Sequence, residues 1–158
     1  MPTVLIVCTG NLCRSPMAAA LLRARLARDE ARWDWQVSSA GTWATDGLPA
    51  SVHAVEEMAG RGIDLRAHRA RNVTRELMAG ADLILAMARN HAEALRAAFP
   101  EHAHKVYLLS EMVGQKYDVH DPYGSTPMEY AYIARELEQL IEAGYERIVA
   151  LVERAPGG

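Results

Sequence analysis

The chain has 158 residues, with 17 Lys and Arg against 20 Asp and Glu, a formal net charge of -3, 50% hydrophobic residues and 2 cysteines. That length suits one domain, residues 1–158, able to bury about 68–70% of its unfolded surface around a single core. The charge excludes a general pull toward nucleic acid, the apolar runs are too short to span a membrane, and two cysteines without a charged-then-apolar leader exclude a disulfide scaffold and point to a reducing cytoplasm.

In chain order, Thr3 to Val7 is β-branched and apolar enough for a buried strand, and Pro16 followed by Met17-Ala18-Ala19-Ala20-Leu21-Leu22 opens a helix running to Asp29. A second strand is predicted over Trp35 to Ser39, a helix over Ser51 to Arg61 and a short one over Thr74 to Ala79. Ala81 to Met87 and Lys105 to Leu109 read as strands on either side of a helix at Arg89 to Ala98. The last helix spans Pro127 to Ala155, with Tyr130, Ile133, Leu137, Leu140, Ile141, Tyr145, Ile148 and Val152 in helical period, and Gly144 is the one point where it is expected to weaken or break. Strands alternating with helices predict an α/β fold of three layers, a central four-stranded parallel sheet with helices on both faces. Gly41 to Pro49 and Val113 to Thr126 are irregular, and no repeat or linker interrupts the chain.

Between the first strand and the first helix lies Cys8-Thr9-Gly10-Asn11-Leu12-Cys13-Arg14-Ser15. A loop that ends on a helix N-terminus offers free N–H groups and the positive end of the helix dipole, which attract a dianion and favour negative charge on a sulfur at Cys8. Gly10 is expected to take a conformation that a Cβ would obstruct, so that successive N–H groups turn inward as an anion nest. Arg14 supplies a planar fork of donors for two phosphoryl oxygens, Ser15 a hydrogen bond to the Cys8 sulfur, and Asn11 an amide to fasten the loop from inside. By spacing alone, Cys8 and Arg14 read as a small buried hydrophobe and a solvated charge. The strand before, the helix after, and Gly, Asn, Ser and Pro at their places turn the pair into a phosphate cradle with its own nucleophile.

The run C-T-G-N-L-C-R-S-P-M-A resembles the signature of the low-molecular-weight protein tyrosine phosphatases, including the bacterial protein-arginine phosphatases of the same fold. Ser39-Ala40-Gly41-Thr42, Ala81 to Met87 and Asp121-Pro122-Tyr123-Gly124 follow in the family's order, so the resemblance covers nearly the whole chain. It implies a cysteine-dependent phosphatase that works through a cysteinyl-phosphate intermediate, with Cys8 as nucleophile, Arg14 and the loop amides of Thr9 to Ser15 binding phosphate, and Asp121 as general acid and then base. As a bare sequence, Asp-Pro-Tyr-Gly is a type I turn, with Asp, Pro and Gly at their preferred positions. The resemblance further implies that Ser39 and His68 brace the loop, that Cys13 can pair reversibly with Cys8, and that phosphorylated proteins are the partners. Trp43 and Tyr123 are expected to wall the cleft. Neither a metal nor a cofactor is expected: His53, His91, His102, His104 and His120 form no ligand set, and the loop lacks the Lys-Ser or Lys-Thr ending of a nucleotide P-loop. A monomer without nucleic-acid or membrane partners is expected.

Leu12 occupies the position at which a bulky aliphatic residue goes with phosphotyrosine and threonine with phosphoarginine. Thr9, Tyr123 followed by Gly124, and Tyr117-Asp118-Val119-His120 resemble the arginine-specific branch instead, and the second aromatic usual after Asp-Pro in the tyrosine branch is missing. Leu12 tips the expectation to phosphotyrosine. A binding module without turnover would need no Cys8 with Asp121, and an arsenate reductase of this fold needs further thiols, of which none follows Cys13.

Overall fold

The computed structural model describes residues 1–155; the last three positions of the expected 1–158 domain lie outside the described residues. Four parallel strands, β1 (Thr3–Cys8), β2 (Gln36–Gly41), β3 (Leu83–Ala86) and β4 (Val106–Leu108), form one sheet in the order β2-β1-β3-β4. Successive strand residues point to opposite faces. Val4, Ile6, Cys8, Leu83 and Leu85 therefore join a core with α1 (Arg14–Leu26), α2 (Val52–Ala59) and α5 (Pro127–Arg154). Leu5, Val7, Ile84, Ala86, Val106 and Leu108 face α3 (Arg75–Gly80) and α4 (Arg89–Ala98). Coverage on both faces is why β1 and β3 read as continuous apolar runs rather than alternating ones.

The predicted elements are all present, with shifted ends. Helix α1 starts at Arg14, two residues ahead of Pro16, and the short helices at Glu30–Arg32, Pro100–Lys105 and Leu109–Val113 are 3-10 turns too brief to leave a periodic pattern. Strand β2 runs on to Gly41 because its register with β1 pairs Ser39 with Ile6 and Gly41 with Cys8. Gly144 does not break α5. The helix passes unbroken, and the glycine lets the 3-10 turn at Met112 pack against it, where an added Cβ would stand 2.5 Å from Met112 Cβ. Thr126 caps α5 by accepting the Glu129 N–H at 3.2 Å, and Pro127 takes the first turn, where a missing N–H costs nothing. Among the described residues no helix is long and apolar enough to cross a membrane.

Candidate active site

In an open parallel sheet the carboxyl ends of the strands form the ligand crevice, and the central strand β1 delivers Cys8 there. The chain then turns through residues 9–13 into α1. All but one of the carbonyls around this turn, that of Gly10, are tied to a neighbour: Cys8 O accepts the Thr42 N–H at 2.9 Å, Thr9 O the Trp43 N–H at 3.0 Å, Leu12 O the Ser51 N–H at 3.0 Å and Cys13 O the Met17 N–H at 3.1 Å. Asn11 O accepts from His68 Nε2 at 2.7 Å. The N–H groups of Gly10, Asn11, Leu12 and Cys13 have no acceptor among the described residues, which leaves them to an anion.

Asn11, not Gly10, carries the unusual backbone, with φ 58. A Cβ on Gly10 would meet only the Leu12 side chain, at 3.8 Å, so the expectation that Gly10 is required sterically is corrected. The cost of the left-handed Asn11 is offset by its hydrogen bonds. Its Oδ1 accepts the Arg71 N–H at 3.0 Å, which fixes the amide orientation because a backbone N–H can only donate. Nδ2 then donates to Ser15 Oγ at 2.9 Å and to Ser39 Oγ at 3.0 Å. Ser15 Oγ also lies 2.9 Å from Cys8 Sγ, and its hydroxyl is the donor once that sulfur is a thiolate, which can only accept. The relay ends as a hydrogen bond to sulfur. His68 is held down from the usual histidine range by burial and by the neighbouring arginines, against the pull of its bond to Asn11, so a neutral ring donates to the loop carbonyl.

Arg14 is buried, 6% exposed, in the first turn of α1. Its Nη1 donates to Val119 O at 3.0 Å, and Nη2 stands 3.5 Å from both Thr9 Oγ1 and Asp121 Oδ2. Val119 is itself anchored to the sheet by its N–H to Met87 O at 2.8 Å. Asp121 is exposed at the mouth, and its Oδ1 accepts the Tyr123 N–H at 3.0 Å, which holds the carboxylate; the type I turn expected over 121–124 is corrected, because the closed turn lies one residue on, with the Ser125 N–H on Pro122 O at 2.9 Å and Gly124 at φ 77. Cys8, Thr9, Gly10, Leu12, Cys13, Arg14, Asp121 and Tyr123 line one cavity of about 180 Å³. Trp43 is not among its lining residues and stands 84% exposed; what it gives the loop is its backbone N–H. Asn11, Ser15, Ser39 and His68 lie behind the cavity as its support.

Cys13 faces the core on α5. Its Sγ lies 3.1 Å from the Tyr130 hydroxyl and 3.4 Å from Ser51 Oγ, and burial pushes its thiol up, with Asp121 and Cys8 adding to the effect and the two hydrogen bonds opposing it. Both cysteines are free thiols. Three contributors escaped the sequence reading. Val119 contributes a main-chain carbonyl, which its residue type does not mark. Gly41 allows β2 to pass so close to the loop that an added Cβ would overlap Thr9 O. His91 reaches Thr9 from 82 residues away.

The family model described as low molecular weight phosphotyrosine protein phosphatase matches residues 3–154. The chain belongs to this family. It is accordingly an enzyme, a cysteine-dependent phosphatase. It is 40% identical over 149 residues to a probable low molecular weight protein-tyrosine-phosphatase, EpsP, of Ralstonia solanacearum, covering 94% of this chain and 97% of that protein. It is equally 40% identical over 139 residues to a protein-arginine-phosphatase of Bacillus subtilis, covering 87% of this chain and 91% of the other. Among solved structures, a cysteine-to-serine mutant of the YwlE arginine phosphatase with a phosphorylated active-site serine superposes with a TM-score of 0.87 at 37% identity, over 92% of this chain and 95% of that one.

Proposed function

We propose that this phosphatase hydrolyses phosphotyrosine in proteins, with Cys8 as nucleophile and Asp121 as general acid and base. The observation that carries the reading is the convergence of a sulfur, a guanidinium and a carboxylate on one cavity at the end of β1. The Cys8 thiolate attacks phosphorus while Arg14 and the unbonded loop N–H groups hold the equatorial oxygens, whose charge grows in the transition state. The Ser15 hydroxyl, 2.9 Å from the sulfur, donates to negative charge there before attack and again when the sulfur leaves. The phenolic oxygen departs with the proton of Asp121, since a protonated leaving group avoids a phenoxide. Asp121, now a carboxylate, takes a proton from the water that hydrolyses the cysteinyl phosphate, and the starting enzyme returns. A phosphorylated side chain at the nucleophile position of the YwlE mutant supports the covalent intermediate. The setting included in this reading is a reducing cytoplasm, where both thiols stay free.

Phosphotyrosine is favoured by Leu12, an apolar branched side chain on the cavity wall beside Tyr123, suited to an aromatic leaving group. Phosphoarginine is the second reading, supported by the equal identity to the two classes of relative. Hydrolysis of a chromogenic aryl phosphate should be almost abolished in Cys8→Ser and fall about 10²–10⁴-fold in Asp121→Ala. A Cys8→Ser protein that keeps most of its activity refutes the mechanism. Comparison of phosphotyrosine and phosphoarginine peptides should show a tyrosine preference that Leu12→Thr weakens, and a wild type that prefers phosphoarginine refutes the Leu12 argument.

A further inference from the structure

His91 lies outside the loop that carries the sulfur, yet it reaches the cavity through one side chain. Its ring is 1% exposed in the first turn of α4, where Ala88 has no polar side chain to cap the helix. Nδ1 accepts the Ala88 N–H at 3.1 Å, and Nε2 lies 2.7 Å from Thr9 Oγ1. A backbone N–H only donates, so Nδ1 is the bare nitrogen and the neutral ring carries its hydrogen on Nε2. That hydrogen goes to Thr9 Oγ1. Arg14 Nη2, which also only donates, approaches the same oxygen at 3.5 Å. With donors on both lone pairs, the hydroxyl hydrogen of Thr9 must point away from His91 and Arg14. Thr9 is exposed and lines the same cavity as Cys8 and Asp121, and the cavity is where that hydrogen finds room.

We propose that His91 is a positioning residue that makes the Thr9 hydroxyl a fixed donor to a phosphoryl oxygen held above Cys8. This rests on the phosphatase reading and adds one binding side chain and the buried group that sets its direction. Burial and the Arg14 guanidinium bring His91 down to about 4, against the opposing pull of Asp118 and Asp121. The ring therefore stays neutral between about pH 5 and 8. A charged ring would set an N–H against the Ala88 N–H, two donors face to face.

The test combines turnover of an aryl phosphate, inhibition by vanadate as a transition-state mimic, and nitrogen NMR of the imidazole. Thr9→Val keeps the shape and removes the donor, and should weaken both kcat/KM and vanadate inhibition by about tenfold or more, the effect of one hydrogen bond to a charged group. Thr9→Ser should recover part of that loss. His91→Phe should lower kcat/KM several-fold in the wild-type background and have no further effect in Thr9→Val, whereas a merely structural histidine would cost the same factor in both. In the unmodified protein the NMR spectrum should show hydrogen on Nε2 with Nδ1 bare, a readout independent of any variant folding. Hydrogen on Nδ1, undiminished vanadate inhibition in Thr9→Val, or equal His91→Phe losses in both backgrounds would overturn the proposal. A folded wild type inactive on every phosphate ester refutes the phosphatase reading instead.

Discussion

Acidification from pH 7 to pH 5 should destabilise this protein through His91 in particular. In the unfolded chain the imidazole titrates at about 6.5, while in the fold burial and Arg14 lower it to about 4. As pH falls below the unfolded value, the unfolded chain takes up a proton that the native state declines, so stability is whole above about 6.5, drops through pH 6 and 5, and levels off below about 4. Linkage between those two values gives a loss of about 2 kcal/mol at pH 5 and about 3 kcal/mol when fully expressed. That is a large part of the roughly 5–15 kcal/mol that holds a domain folded. Urea unfolding of wild type and His91→Gln at both pH values isolates the contribution, because His68 and the carboxylates titrate in both proteins. The variant starts less stable at pH 7, having lost the ring and its bonds to Ala88 and Thr9, and the gap between the two proteins should narrow by about 2 kcal/mol at pH 5. A gap that stays the same at both pH values refutes a neutral, buried His91.

Two glycines give further checks. In Gly41→Ala the new Cβ meets the backbone of Thr9 and stands 3.2 Å from the Asn11 nitrogen, so the loop must shift; turnover should fall about 10²-fold, as for a misplaced reacting group, and unchanged kinetics would show that the close approach of β2 does not shape the cradle. In Gly144→Ala the usual gain of about 1 kcal/mol for alanine in a helix is opposed by overpacking against Met112 that costs about 1–3 kcal/mol. A net loss of stability without loss of turnover is expected, and a stabilised variant would refute the tight packing of α5 on Met112.

The parts of the site that could be read from sequence are those whose cause is local. A strand, a turn and a helix start are written in neighbouring residues, so the cradle from Cys8 to Ser15 stands out, and a turn beside Asp121 is legible too, though it closes one residue later than the residue types suggest, from Pro122 O to the Ser125 N–H. The expected role of Gly10 failed for an instructive reason: Asn11 can take the left-handed conformation because its own side chain is bonded on both ends, by Arg71, Ser15 and Ser39. None of those partners is visible from the residue type alone.

Sequence by itself determined the alternation of buried strands and helices, and the residue types at the cradle, since periodicity and steric preference act over a few residues. The tertiary structure decided which distant groups meet them. Val119 comes to Arg14 across 105 residues, Tyr130 to Cys13 across 117 and His91 to Thr9 across 82. These meetings follow from the strand order β2-β1-β3-β4, which brings the ends of β1 and β3 side by side and sets α4 and the Asp121 loop over the same crevice. A hydrogen bond depends on position to within a few tenths of an ångström, and only the packed sheet fixes positions so far apart in the chain.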